Sequence, residues 1–324
     1  MRKSSRGNPN HYPKGHPKGG QFAPKGVGMS INHTQEYYDV RTSYRGGEMD
    51  NDEYQKKIAE LRELSKEEEQ HLFRRQVSFT PAKTISEAED YARNTLGVRP
   101  YYKGLPLEVA NTCNQCLTET FAQFPELKEE IKVIGSGQQI NKEIKAKLSP
   151  IIQRELQAIY GGTYPQSAID RAAKKSVNQY VSNMGGYAYY KQIIVRKDEE
   201  KSRIAKSYGG IYLNERNVKD TEDMKRSYEH DVKNLFHPVG TDVNPMKSIL
   251  DHELGHAIDY KYGISDKVSI TRNSAEVKLG LSRYATESKR EYIAEAWEEY
   301  RNNEKPRPIA MEVGRIIDSV GIKQ

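Results

Sequence analysis

From Lys83 onward, apolar residues recur mostly at helical spacing. Ser86–Thr95, Leu107–Phe124, Ile140–Tyr160 and Gln166–Met184 each carry an apolar stripe with polar residues between. So do the stretch after Asn244, Ser288–Tyr300, and a last run from Arg307-Pro308 through Val320. Alternating, β-prone runs are fewer and shorter, near Val98–Tyr102, Lys132–Gly135, Gln192–Val195 and Ile211–Asn214. No internal repeat is present. The pattern predicts an α+β fold, helix-rich, with a small sheet.

Before Lys83 the pattern changes. Asn51–Arg75 is charge-rich and helical in spacing, a solvated helix or linker, and the tyrosine-rich Glu36–Tyr44 reads as a short docking element. Residues 1–35 have no apolar periodicity and are rich in glycine, proline and asparagine. Four segments follow: a disordered basic arm (1–35), a charged helical linker (36–82), a helical subdomain (83–206) and a C-terminal subdomain (207–324).

One helical stretch carries chemistry. Asn244 suits an N-cap, Pro245 the first helical position, and Gly263 a stop. Between them stands His252-Glu253-Leu254-Gly255-His256, with Leu250, Leu254, Ala257 and Ile258 as its apolar stripe. Histidines at i and i+4 share one helix face, so both can bind one zinc ion, and the glutamate between them can act on water there. Such a site needs a third protein ligand and an open position. The stretch Ser288–Tyr300 offers Glu291 and Glu295, one turn apart on one face. One carboxylate can bind the ion and the other can hold a ligating histidine through its second ring nitrogen. Glu298 and Glu299 read as ordinary solvated charges; His237, in the turn-like Phe236-His237-Pro238, could line the cleft, but a lone loop histidine is more often structural, and it is not counted among the ligands.

These motifs resemble the anthrax lethal factor-type gluzincin metallopeptidases. The likeness rests on His252-Glu253-Leu254-Gly255-His256-Ala257-Ile258-Asp259-Tyr260, on Tyr284, and on Glu291-Tyr292-Ile293-Ala294-Glu295-Ala296-Trp297, and spans about residues 207–300. It implies a zincin-like fold, with the small sheet over the His252–His256 helix, and one Zn2+ held by His252, His256 and Glu291. It implies Glu253 as general base, Tyr284 as a donor to the oxyanion, and Glu295 as the outer partner of a ligating histidine. The activity implied is endoproteolysis of a protein or peptide substrate. Gluzincins also pair an extended substrate with an edge strand, and Ile211, Tyr212, Leu213 and Asn214 are the candidate; a purely structural strand is the alternative.

Composition bounds the setting. The chain has 324 residues, 35% hydrophobic and 30% charged, with a net charge of +6. Arg2, Lys3, Arg6, Lys14, Lys18 and Lys25, with no acid among the first 35 residues, account for all of that charge. A flexible arm of this kind can bind nucleic acid or an acidic protein surface by charge alone; a solubilising tail is the alternative. The segment from Asn8 to Gly26 is similar to a short element of tailed-phage head morphogenesis proteins, which points to a phage or prophage protein and to the virion or the bacterial host cytoplasm. The runner-up function is accordingly a head-associated structural or nucleic-acid-contacting protein with a non-catalytic peptidase-like domain. No stretch has the apolar core of a signal peptide or the length of a membrane span, so no membrane contact is expected. Cys113 and Cys116 form a single CxxC inside an amphipathic helical stretch and are expected as buried small residues rather than half of a metal site.

Overall fold

A computed structural model describes residues 31–74, 77–181, 185–192, 199–240 and 244–321. The chain divides into two units, Met1–Ser78 and Phe79–Gln324. In the first, helices α1 (Ile31–Arg45) and α2 (Asn51–Arg74) pack together, with Tyr44 stacked on Tyr54 at 4.3 Å between ring centroids. Residues 1–30 of the basic arm lie outside the described residues. Its last five residues, 31–35, already belong to α1, so the helix starts earlier than the composition suggests.

The second unit is helix-rich, with one small mixed sheet. It opens with α3 (Ile85–Tyr91) running into a π-turn, then β1 (Arg99–Tyr101), α4 (Leu107–Gln123) and β2 (Val133–Ser136). Next come α5 (Gly137–Tyr160), α6 (Gln166–Asn178), β3 (Ala188–Lys191), α7 (Glu199–Lys206) and β4 (Gly210–Leu213). Helices α8 (Glu215–Val218), α9 (Thr221–Lys233), α10 (Pro245–Tyr262), α11 (Ile264–Lys267), α12 (Ser274–Gly280), α13 (Lys289–Asn302) and α14 (Pro308–Val320) complete it. The break placed between residues 206 and 207 falls inside this unit, because β4 completes the sheet begun by β1 and β2.

The strand order is β1-β2-β4-β3, with β1, β2 and β4 parallel and β3 antiparallel to β4. Both faces of the sheet are covered, which is the usual state of parallel strands. Side chains alternate between the faces. Ile134, Ile211 and Leu213 join a core shared with α4, α10 and α13, whereas Val133 and Tyr212 join a second core against α5 and α6. At Gly210, φ is +149° and a Cβ would lie 2.0 Å from the Val133 carbonyl oxygen, so only glycine lets β4 start against β2. The strand expected at Gln192–Val195 lies upstream, at Ala188–Lys191, and 193–198 are outside the described residues. Ala-Tyr-Tyr-Lys has no apolar alternation, since every residue of β3 is half-buried, so periodicity could not place it.

Cys113 and Cys116 are free and buried on α4, where burial pushes both thiols up. No helix among the described residues is long and apolar enough to cross a membrane.

Behind the sheet, Glu143 on α5 accepts from the hydroxyls of Tyr101 (2.6 Å) and Tyr208 (2.7 Å) and pairs with Lys147 at 3.1 Å. Burial pushes this carboxyl up, but the bonds from Tyr101, Tyr208 and Lys147 and the Arg99 charge outweigh it and bring it down to about 2. A depressed carboxyl stabilises the fold fully above its unfolded value of about 4.3 and loses that contribution as pH falls toward the folded value. Glu143→Gln is therefore expected to be less stable than the parent at pH 5–7, with the gap closing between about pH 4 and pH 2. Urea midpoints across that range check this; a gap that does not change with pH would mean that packing, not charge, sets the cost.

Candidate metal centre

Helix α10 forms as its sequence dictates. The Asn244 side chain accepts from the N–H groups of Met246 and Lys247, Pro245 occupies the first turn, and Gly263 ends the helix in a left-handed conformation at φ +60°. Leu250, Leu254, Ala257 and Ile258 are fully buried. His252 and His256 sit one turn apart with ring centroids at 4.8 Å. Between them, Gly255 faces α13: a Cβ there would come within 3.0 Å of Ala294 Cα and 3.4 Å of the Trp297 side chain. The missing side chain lets the α13 backbone lie against α10, which carries the carboxylates of α13 to the histidines.

Helix α13 is capped by the Ser288 hydroxyl, which accepts from the Glu291 N–H. Glu291, Glu295 and Glu298 follow on one face. Glu291 Oε2 lies 3.2 Å from His252 Nε2 and 3.3 Å from His256 Nε2. It is buried, yet no hydrogen bond is directed at it. Ligand atoms at about 2.0–2.1 Å from a tetrahedral ion are themselves roughly 3.3 Å apart, so these separations match the edges of a metal coordination shell. His252, His256 and Glu291 are thus a group able to hold a metal ion. The charges agree. Burial alone would push His252 down, but the carboxylates of Glu291, Glu295 and Glu298 outweigh it and hold the imidazole well above the ordinary histidine value. A ring of acids around one imidazole is an environment that favours a bound cation.

Around these residues runs a layer of support. His252 Nδ1 is 2.9 Å from Glu295 Oε1 and 3.4 Å from Glu298 Oε2. Glu295 is fully buried, accepts from Ser282 Oγ at 2.6 Å, and meets His237 Nδ1 at 3.1 Å. Burial pushes Glu295 up, but the bonds from His237 and His252 outweigh it and keep it ionised; burial and the neighbouring Glu295 charge push Glu298 up. Tyr228 donates to Glu298. His237, Glu295 and Glu298 form a second group with metal-ligand spacing.

Glu298 and Glu299 correct the expectation of solvated charges, since both are buried. Helix α13 is enclosed from Tyr292 to Asn302, so every acid on it needs a partner, and Glu299 finds Arg307 at 2.6 Å. A run of charges in sequence does not reveal partners that lie on other elements. His237 stands beside Glu295 and borders a cleft, the alternative that the sequence had left open.

Glu253 is buried on the cleft side of α10 and accepts a hydrogen bond from the Tyr190 N–H of β3. Strand β3 is the edge of the sheet here, paired with β4 alone among the described residues. This corrects the edge-strand assignment. Ile211, Tyr212 and Leu213 form an inner strand paired on both sides, and Asn214 caps α8 and donates to the Gly186 carbonyl. A short apolar run led in by glycines reads alike for an inner and an edge strand, and pairing alone separates them.

Two clefts of about 270 and 330 Å³ flank the centre, and Ala188, His252, Glu253 and Tyr284 line both. The Tyr284 ring stacks on His252 at 5.9 Å and 21°. Burial, with the Glu291 charge, holds its hydroxyl above the ordinary tyrosine value, so it keeps its proton to donate.

The arrangement predicts an order of metal loss. Glu295→Ala should weaken metal binding by roughly 10–100-fold, the usual effect of losing an outer partner, and Glu291→Ala by more. Titration against a chromogenic chelator measures both; the reverse order would exchange their roles.

Comparison of the chain with protein-family models, with curated proteins and with solved structures finds no match.

Proposed function

We propose that this protein is a zinc-dependent endopeptidase with a zincin-like catalytic unit, similar in its chemistry to the lethal factor-type gluzincins. One observation carries the reading: three ligand atoms at coordination-shell separations share a cleft with a buried glutamate that is tied to an edge strand. His252, His256 and Glu291 would hold the ion, a nitrogen and oxygen donor set that suits zinc. Bound there, zinc supplies a lowered pKa for water and polarisation of the scissile carbonyl.

The remaining work belongs to the chain. Glu253 takes the proton of the attacking water and passes it to the leaving amine. Tyr284 donates its hydroxyl to the developing oxyanion. Alternate main-chain groups of β3 point away from β4; the Tyr190 N–H among them is taken by Glu253, and an extended peptide can pair with the others. Such a cleft suits an unstructured segment of a protein, and the phage-type element near the N-terminus suggests a target in a virion or a bacterial host.

The test is incubation of the zinc-loaded full chain with an unfolded protein such as casein. Cleavage should occur, stop with a zinc chelator and return with added zinc. Tight zinc binding without cleavage of any unfolded protein would favour a peptidase-like scaffold instead.

A further inference from the structure

We propose that His237 is a substrate-contacting residue, whose Nε2 hydrogen-bonds the main chain of a bound peptide beside Tyr284; this rests on the peptidase reading. Three observations converge on it.

The ring is fixed on every side but one. Its Nδ1 is held by Glu295 Oε1 at 3.1 Å, its face stacks on Tyr228 at 5.6 Å and 15°, and Phe236 and Tyr284 pack edge to face at 5.0 and 5.8 Å. Its Nε2 has no hydrogen-bond partner among the described residues and is not sealed from solvent. The ring lines the cleft of about 270 Å³ together with His252, Glu253 and Tyr284, so an unpartnered nitrogen stands on a residue that borders the space where the substrate would lie.

The loop that presents it is strained. Leu235, two residues earlier, is the non-glycine residue with positive φ (58°) among those described. The loop is pinned to the segment carrying Tyr284 by the bonds Arg283 N–H to Leu235 carbonyl (2.6 Å) and Tyr284 N–H to Phe236 carbonyl (3.1 Å). Strain held in place by neighbouring structure gathers at ligand-contacting sites. Here it sets His237 and Tyr284 side by side.

The same carboxylate serves both histidines. Glu295 Oε1 meets His252 Nδ1 at 2.9 Å and His237 Nδ1 at 3.1 Å. A histidine needed only to orient Glu295 could be buried. This one borders the cleft, and its second nitrogen has no partner among the described residues.

Two substitutions separate contact with substrate from support of the metal. In His237→Asn the amide nitrogen can stand near the place of Nδ1 and keep the bond to Glu295, while Nε2 is lost. In His237→Gln the amide can reach the place of Nε2. The probe is a phosphoryl-dipeptide, a tetrahedral anion with a short main chain, titrated calorimetrically into the zinc-loaded full chain; zinc affinity is measured separately by chelator competition. Expected for His237→Asn is a loss of about tenfold or more in probe affinity, the scale of one hydrogen bond in a desolvated site, with zinc affinity changed less than the roughly tenfold that loss of an outer partner brings. His237→Gln should recover part of the probe affinity. Equal probe binding by the parent and both variants would overturn the proposal. So would zinc affinity that falls in step with probe affinity, which would place the residue's role in holding Glu295. If the zinc-loaded parent neither binds the probe nor cleaves casein, the peptidase reading fails and takes this one with it; if it cleaves while the variants bind normally, only the role of His237 fails.

Discussion

Glu253→Gln should retain its metal and lose its activity. Glu253 is 7% exposed and one of its carboxylate oxygens accepts the Tyr190 N–H, a bond that an amide oxygen preserves. The three atoms placed to hold an ion belong to His252, His256 and Glu291, so the substitution leaves that group intact. What changes is the ability to accept a proton, because an amide cannot serve as the base. Loss of a positioned general base lowers turnover by roughly 10²–10⁴-fold. Zinc stoichiometry by atomic absorption and the rate of casein cleavage, on the same preparation, give the comparison. Activity at the parental level would remove Glu253 as the base. Loss of zinc with activity would point instead to a damaged site.

Arg301→Met should be the most destabilising of the substitutions considered, without touching the metal ligands. On the side of α10 facing α4, Arg301 Nη2 meets Glu119 Oε2 at 2.6 Å, and Lys247 Nζ meets Asp251 Oδ2 at 2.8 Å. Asn302 donates to Asp251 at 2.9 Å and Arg301 lies over the Trp297 ring at 5.6 Å. Asp251 is fully buried, and Glu119 and Arg301 are nearly so. The network joins α4, α10 and α13. Removing its guanidinium leaves Glu119 and Asp251 to share Lys247. Breaking a buried pair from one side costs about 3–5 kcal/mol, because an uncompensated charge stays behind. For a unit of this size that corresponds to a fall in Tm of roughly 6–20 °C. Calorimetry of the zinc-loaded parent and variant measures it. The double variant Glu119→Gln, Arg301→Met should cost less than the sum of its singles, since each partner is a liability only without the other. Additive costs would show that the pair contributes packing alone.

Much of the site was legible because helical geometry is local. The cap at Asn244, the proline at 245, the stop at Gly263 and the facing of His252 and His256 all depend on residues a turn or less apart. The same holds for Ser288 and the shared face of Glu291 and Glu295. The buried cysteines of α4 followed from the apolar stripe around them.

What periodicity could not reach were relations between elements. The edge strand is Ala188–Lys191 rather than Ile211–Asn214, because an edge is defined by a missing neighbour and not by composition. Glu298 and Glu299 are buried and His237 borders the cleft, because their partners Tyr228, Arg307 and Glu295 come from other parts of the chain. The need for glycine at 255 comes from α13, whose Ala294 and Trp297 lie against it. By itself, then, the sequence determined which side chains share a helix face, since a 3.6-residue period follows from backbone sterics. Only the tertiary structure decided which faces meet, which strand stays unpaired and which acids lose water, since those depend on the packing of distant segments that no local period encodes.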